Sequence, residues 1–263
     1  MSEASHKERI QAQFGGSAER YVTSTTHASG DDLAQLADWA EGGPGRDALD
    51  VATGGGHTAL ALSPHYRRIV ASDLTDPMLA SAERFIRSQG VTNVEFERAD
   101  AEDLPFPNAA FDTISCRIAP HHFARIERFV QEVARVLKTG GIFLLEDSVV
   151  PEEPALADWL NHAEALRDST HVRSLKRSEW LTLLKGAGLQ LEAERIFPKP
   201  HPFASWLDRS RTPEAAADAT TAFFRDAPAA ARTAFEIAIA PDGTVESYTD
   251  EKIVLKARKG SSS

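Results

Sequence analysis

Short apolar runs alternate along this chain with stretches in which apolar side chains recur every third or fourth position. Ala48-Leu49-Asp50-Val51, Ile69–Asp73, Val94–Asp100, Phe111–Arg117 and Ile142–Glu146 read as strands. Between them lie amphipathic helices. Leu33, Leu36, Ala37 and Ala40 form a stripe that stops before Gly42-Gly43-Pro44. Asp76-Pro77 opens a helix with Leu79, Ala82, Phe85 and Ile86 inward, and Gly90 ends it. Ile126, Phe129, Val130, Val133, Val136 and Leu137 make the clearest stripe, stopped by Gly140-Gly141. Trp180-Leu181 and Leu183-Leu184 mark another helix. Leu189–Phe197 alternates as an outer strand, and Ile253–Lys259 reads as the last one. Phe235–Ile239 and Thr244–Tyr248 flank Pro241-Asp242-Gly243, a hairpin signal. Strands alternating with helices call for a parallel sheet. The predicted class is α/β: a doubly wound, mostly parallel seven-stranded sheet, helices on both faces, and a small helical cap.

Two segments fall outside that alternation. Residues 151–177 and 198–234 are helical excursions that leave near the carboxyl ends of the strands, the rim where open α/β sheets hold ligands. They are expected to cap the substrate pocket. Residues 1–30, with Phe14, Arg20 and Tyr21 among polar neighbours, are expected to form a flap over the ligand. The main domain then runs over 31–259, and 260–263 is a disordered tail.

The first strand runs into Thr53-Gly54-Gly55-Gly56 and then into the helix former Thr58-Ala-Leu-Ala-Leu. Glycine lets a backbone turn tightly and approach a ligand closely, and a helix start aims free N–H groups at the same place. The second strand ends on Asp73 and the third on Asp100. Asp73 suits the two hydroxyls of a ribose, and Asp100 an exocyclic amine. A ligand with a ribose and an adenine satisfies these acceptors.

Leu49-Asp-Val-Ala-Thr-Gly-Gly-Gly-His, Ser72-Asp-Leu-Thr-Asp-Pro-Met-Leu, Ala99-Asp-Ala-Glu-Asp-Leu-Pro-Phe-Pro, Phe111-Asp-Thr-Ile-Ser-Cys-Arg and Glu132-Val-Ala-Arg-Val-Leu-Lys-Thr-Gly-Gly resemble the ordered motifs of class I S-adenosylmethionine-dependent methyltransferases. Within these the chain is most similar to the ubiquinone/menaquinone-biosynthesis type. The resemblance implies a Rossmann-like fold, S-adenosylmethionine as cofactor and S-adenosylhomocysteine as product. It also implies that Asp50, Gly54 and Gly56 form the loop near the methionine end. Asp73 then holds the ribose, Leu74 packs on the adenine, Asp100 accepts from the adenine amine, and the N–H of Ala101 reaches a ring nitrogen. Arg117 lines the methionine side. Ala52 stands where the family pattern has glycine, which predicts a slightly shifted cofactor. A nicotinamide enzyme fits less well, because Ala59 occupies the third glycine position of that fingerprint.

The net charge of −10 suits a small-molecule partner better than nucleic acid phosphate. The single cysteine, Cys116, fits a reducing cytoplasm, and no apolar run is long enough to span a membrane. A homodimer is compatible with this reading. Methyl transfer needs alignment and dry surroundings, and a base where the acceptor must lose a proton to react. His121 and His122, just after the fourth strand, are the candidate bases. Tyr21, His162, Arg167, His171 and Arg173 are candidate substrate contacts, with the arginines suited to a carboxylate or enolate oxygen. The histidines lack a ligand spacing with carboxylates, so no metal site is proposed. The expected function is methyl transfer to a small molecule at carbon, oxygen or nitrogen. The alternatives are a non-methylating reaction on the same fold and a non-catalytic cofactor-binding regulator.

Overall fold

Alternate side chains of the central strands feed two separate apolar layers. Leu49, Val51, Ile114, Cys116, Phe143 and Leu145 face one side, where Phe129, Val133 and Trp180 cover them. Ala48, Ile69, Ala71, Ile142 and Leu144 face the other, under Leu36, Ala59, Leu62 and Ile86. A sheet buried on both faces must have helices on both, and this one does. The computed structural model describes residues 3–15 and 30–260.

In chain order the elements are α1 (Glu3–Gly15), α2 (Asp31–Asp38), β1 (Gly43–Val51), α3 (His57–Leu62), β2 (Tyr66–Asp73), α4 (Asp76–Ser88), β3 (Val94–Arg98), β4 (Phe111–Arg117), α5 (Ile126–Val136), β5 (Leu137–Val150), α6 (Pro154–Arg167), β6 (Leu175–Lys176), α7 (Arg177–Gly186), β7 (Leu189–Pro202), α8 (Phe203–Arg209), α9 (Glu214–Arg225), α10 (Ala229–Ala234), β8 (Ala238–Ile239) and β9 (Val245–Lys259). The sheet order is β3-β2-β1-β4-β5-β9-β7. The pairs among the first five strands of that order are parallel, and β9 is antiparallel to both β5 and β7. This path has the seven strands expected. The two further strands, β6 on β5 and β8 on β9, are two residues long each.

Several boundaries differ from the expectation. Helix α5 ends at Val136, and β5 begins at Leu137 and runs through Gly140-Gly141 to Val150, because its pairing with neighbouring strands carries on past both ends of the apolar run. Thr244–Tyr248 and Ile253–Lys259 belong to one strand, β9, 15 residues long. Its middle, Thr249-Asp250-Glu251, reads as a break, but Asp250 is buried and bonded to His201 and Lys252. Strand β7 runs on through Pro198, Pro200 and Pro202, which an edge strand tolerates. The second excursion therefore begins at Phe203, not 198. Of Phe235–Ile239 only Ala238-Ile239 is strand.

Helices α6, α8, α9 and α10 pack together around a third apolar cluster built on Leu160, Phe203, Trp206, Phe224, Phe235 and Tyr248. Trp159 stacks between Phe223 and Phe235, at 5.0 and 5.2 Å. The two excursions are thus one layer with its own core. Among the described residues no helix is long and apolar enough to cross a membrane.

Candidate functional site

A cavity of about 990 Å³ opens at the carboxyl ends of β1, β2, β3, β4 and β5, between the sheet, α1 and the helices of the third cluster. Its first wall is the turn from β1 into α3. Ala52 has φ 52°, a left-handed conformation that costs a non-glycine residue about 1–2 kcal/mol. Such strain persists where surrounding structure imposes it, and functional sites collect it. Ile118, at the tip of β4, has the same φ and lines the same cavity.

The two loop glycines differ in role. Gly54 has φ 55°, and a Cβ there would meet nothing within 4 Å, so this loop offers its backbone to open space. At Gly56, φ 85°, a Cβ would stand 2.9 Å from Ile86 and 3.2 Å from Ala82. Gly56 therefore lets α3 and α4 approach, and it is not part of the cavity wall. Asp50 also lies behind the wall, not on it. Its carboxylate accepts from Thr53 Oγ1 and Ser115 Oγ, each at 2.7 Å, and braces the loop. Burial pushes its pKa up to about 6.

Asp73 lines the cavity from the end of β2. One oxygen accepts from the Gly54 N–H at 3.1 Å, and the other from the N–H and hydroxyl of Thr75, each at 3.0 Å. Burial pushes its pKa up despite these donors. Leu74, Asp100 and Ala101 line the next stretch. Helix α1 crosses here. Lys7 Nζ is 2.6 Å from Asp100 and 3.0 Å from Glu102, and Gln11 donates to the Leu74 carbonyl. The loop backbone at Gly54, the carboxylates of Asp73 and Asp100, and the apolar Leu74 and Met78 fit an adenosine laid across β1, β2 and β3.

On the other side of β1 stands a buried charge cluster. Arg117, at the tip of β4, reaches Asp32 of α2 at 2.9 Å, Glu146 of β5 at 3.1 Å and Thr58 Oγ1 at 3.2 Å. Burial pushes Glu146 up to about 8, against the pull of Arg117.

The histidines after β4 separate into distinct environments. His121 donates through Nδ1 to Asp147 Oδ1 at 2.5 Å. Its Nε2 makes no hydrogen bond among the described residues. His122 is held by the Thr170 carbonyl at Nδ1, 3.1 Å, with Phe14 edge-on at 5.0 Å. Burial and the neighbouring His121 push its pKa down to about 3, so His122 is neutral. His171 donates through Nε2 to Asn161 Oδ1 at 3.0 Å, and burial and His121 hold it at about 4.

Of the other expected contacts, Arg167 lines the cavity, paired with Glu164 at 2.9 Å and set 4.6 Å over the Trp206 ring. His162 does not. It lies on the exposed face of α6 against Phe223, because it falls off the stripe that faces the cavity. Arg173 is also outside, in an exposed ion pair with Glu179 at 2.6 Å. Tyr21 lies outside the described residues.

Sequence reasoning missed Asp147, Glu146, Lys199, His201 and Lys252. The first two had a signal, since two adjacent carboxylates interrupt an apolar strand. The others are brought in by β7 and β9, whose antiparallel pairing no local pattern announces. There Lys252 bonds Asp250 and Ser148, His201 donates to Asp250, and Arg209 donates to His201 Nδ1 at 3.0 Å.

Residues 49–145 match the family described as Methyltransferase domain. The chain is 36% identical to the uncharacterized methyltransferase YcgJ of Bacillus subtilis strain 168, over 95% of this chain and 98% of that one. A crystal structure of a candidate methyltransferase from Bacillus halodurans C-125 superposes with a TM-score of 0.85 at 40% identity, covering 88% of this chain and all of the other. The ubiquinone/menaquinone biosynthesis C-methyltransferase UbiE of Brucella anthropi is 30% identical over 64% of this chain and 63% of its own. With a matching domain and a relative that aligns over nearly the whole of both chains, the chain belongs to the class I S-adenosylmethionine-dependent methyltransferases, and S-adenosylmethionine is its cofactor.

Proposed function

We propose that this methyltransferase acts on a small molecule seated in the half of the cavity beyond His121, under α6 and α8, and that His121 is the base. The observation that carries the reading is the 2.5 Å contact between His121 and Asp147 on the cavity wall. S-adenosylmethionine supplies an electrophilic methyl carbon, which leaves the protein to align the acceptor, exclude water and take one proton. Asp147 fixes the His121 tautomer with the proton on Nδ1, so Nε2 is left to accept the acceptor's proton. The carboxylate then stabilises the imidazolium that forms. His122 cannot share this role while it is neutral, buried and tied to Thr170. Arg167, His171, Lys252 and His201 would recognise polar groups of the acceptor. Helices α6 and α8–α10 act in this reading as the cap, and α1 as the flap over the cofactor. The reading is of a cytoplasmic enzyme that acts on a small molecule and not on nucleic acid.

Screening small-molecule pools with S-adenosylmethionine and following S-adenosylhomocysteine release identifies the acceptor. With it in hand, His121→Asn should lower turnover by about 10²–10⁴-fold and leave S-adenosylhomocysteine affinity intact. His122→Asn should keep turnover within about tenfold of the parent, since it removes packing and not the base. Equal turnover in all three proteins would show that alignment alone suffices. A product formed without consumption of S-adenosylmethionine would point to the non-methylating alternative.

A further inference from the structure

The sheet order puts the two ends of the cofactor over different strands. Asp73 and Asp100 follow β2 and β3, on one side of β1. With adenosine there, the amino-acid end of the same molecule extends over the tips of β4 and β5. What waits at those tips is Arg117 and Glu146, on the cavity wall with Lys199 from β7, and backed by Asp32 behind the wall. Lys199 makes no hydrogen bond or close ion pair among the described residues, yet it is near enough to help hold Asp32 ionised. Two cations and two carboxyls are the complement of an amino-acid zwitterion.

The carboxyls are not simply paired with the cations. Glu146 Oε2 meets Arg117, but Oε1 is buried and accepts no hydrogen bond among the described residues. Asp32 and Glu146 contact each other. Two carboxyl groups in contact, fully buried, cannot both be ionised at low cost, so they share a proton. Burial pushes Glu146 up to about 8 and Asp32 is held below its usual value, so the shared proton rests on Glu146. A buried oxygen with no donor on a cavity wall is a place for an incoming donor.

We propose that Glu146, backed by Asp32, is the seat of the cofactor's α-ammonium, which takes the place of the proton the two carboxyls share, while Arg117 and Lys199 receive the carboxylate. The exchange balances. Glu146 loses a proton to solvent, and the ammonium, already charged, contributes N–H donors in its place. Binding of the cofactor is therefore coupled to the release of one proton. Binding of an analogue without the amino-acid end is not. The proposal rests on the cofactor assignment and adds to it which residues hold the zwitterion.

The test is calorimetric titration of the full chain near pH 7 in buffers of different ionisation enthalpy. The ligands are S-adenosylhomocysteine and 5′-methylthioadenosine, which lacks the amino-acid end. S-adenosylhomocysteine should release about one proton per site, and methylthioadenosine close to none. Glu146→Gln should abolish the release and weaken S-adenosylhomocysteine by about 10–100-fold, the value of a charge-assisted hydrogen bond. The same variant should bind methylthioadenosine like the parent, which also shows that it is folded. Asp32→Asn should behave in the same way. Proton-neutral binding of S-adenosylhomocysteine to the parent, or undiminished affinity in Glu146→Gln, overturns the proposal. Failure of the parent to bind either ligand would instead overturn the cofactor assignment.

Discussion

Gly54 and Gly56 stand two positions apart in one loop and are needed for different reasons. Gly56→Ala would carry both a left-handed backbone and a contact 2.9 Å from Ile86. A loss of about 2–4 kcal/mol in urea denaturation is expected, because neither α3 nor α4 can move away without opening the second apolar layer. Gly54→Ala meets open space and should cost only about 1–2 kcal/mol for its backbone. Its larger effect should be on S-adenosylhomocysteine affinity. Identical stability losses in the two variants would show that the loop, not the α3–α4 contact, limits Gly56. Asp73 also serves two purposes. Its oxygens already hold Gly54 and Thr75, so Asp73→Ala should lower stability by about 1–3 kcal/mol as well as weaken cofactor binding. Normal binding by that variant would reduce Asp73 to a brace for the turn.

At the scale of elements, the cap layer has a core of its own. Phe224 is fully buried among Phe203, Trp206, Trp159 and Tyr248, none of which belongs to the two main apolar layers. Phe224→Ala leaves a void worth about 3–5 kcal/mol to the layer that surrounds it. Because that layer touches the sheet mainly through β5, β7 and β9, the loss should be local. Hydrogen exchange should quicken in α6, α8, α9 and α10 while β1, β2 and β4 stay protected. S-adenosylhomocysteine should still bind, and acceptor turnover should fall. Uniformly faster exchange across the sheet would mean that cap and sheet unfold as one unit. The two excursions are visible in the sequence as breaks in the strand–helix alternation. Their union is not, because Trp159 and Phe235 lie 76 positions apart in the chain.

The whole molecule has buried carboxyls shifted in opposite directions, which sets its response to pH. Burial alone would raise Glu164, but Arg167, His171 and Lys252 outweigh it and hold it at about 2. Asp250 is lowered in the same way by Lys252 and His201, again against burial. Depressed carboxyls contribute stability above their unfolded pKa and lose it as pH falls through the folded one. Glu146, at about 8, and Asp50, at about 6, are raised by burial, so their contribution is complete below the unfolded value and is lost as pH rises through the folded one. His122 and His171, lowered to about 3 and about 4, add stability that is present above about pH 6.5 and is lost as pH falls, so the melting temperature of the cofactor-free protein should peak at about pH 6 and fall on both sides. Glu146→Gln should flatten the alkaline side, and Glu164→Gln the acid side. A profile that rises steadily from pH 5 to 8 would show that Glu146 is ionised in the folded protein.

The sequence by itself determined the α/β class, a mostly parallel sheet of seven main strands, the glycine turn and the carboxylates at the ends of the second and third strands. These rest on local periodicity and on residues a few positions apart, where chain geometry decides what neighbours what. It also determined that His121 and His122 follow the fourth strand. Only the tertiary structure gave them different partners, because Asp147 comes from β5 and Thr170 from the cap. It also turned His162 and Arg173 away from the cavity, moved Asp50 and Gly56 behind its wall, and brought Lys199, His201 and Lys252 to its far end. Those outcomes depend on strand order, register and burial. A side chain's chemistry is readable from its identity, but its pKa, its partner and the direction it faces are set by residues that only the fold brings near.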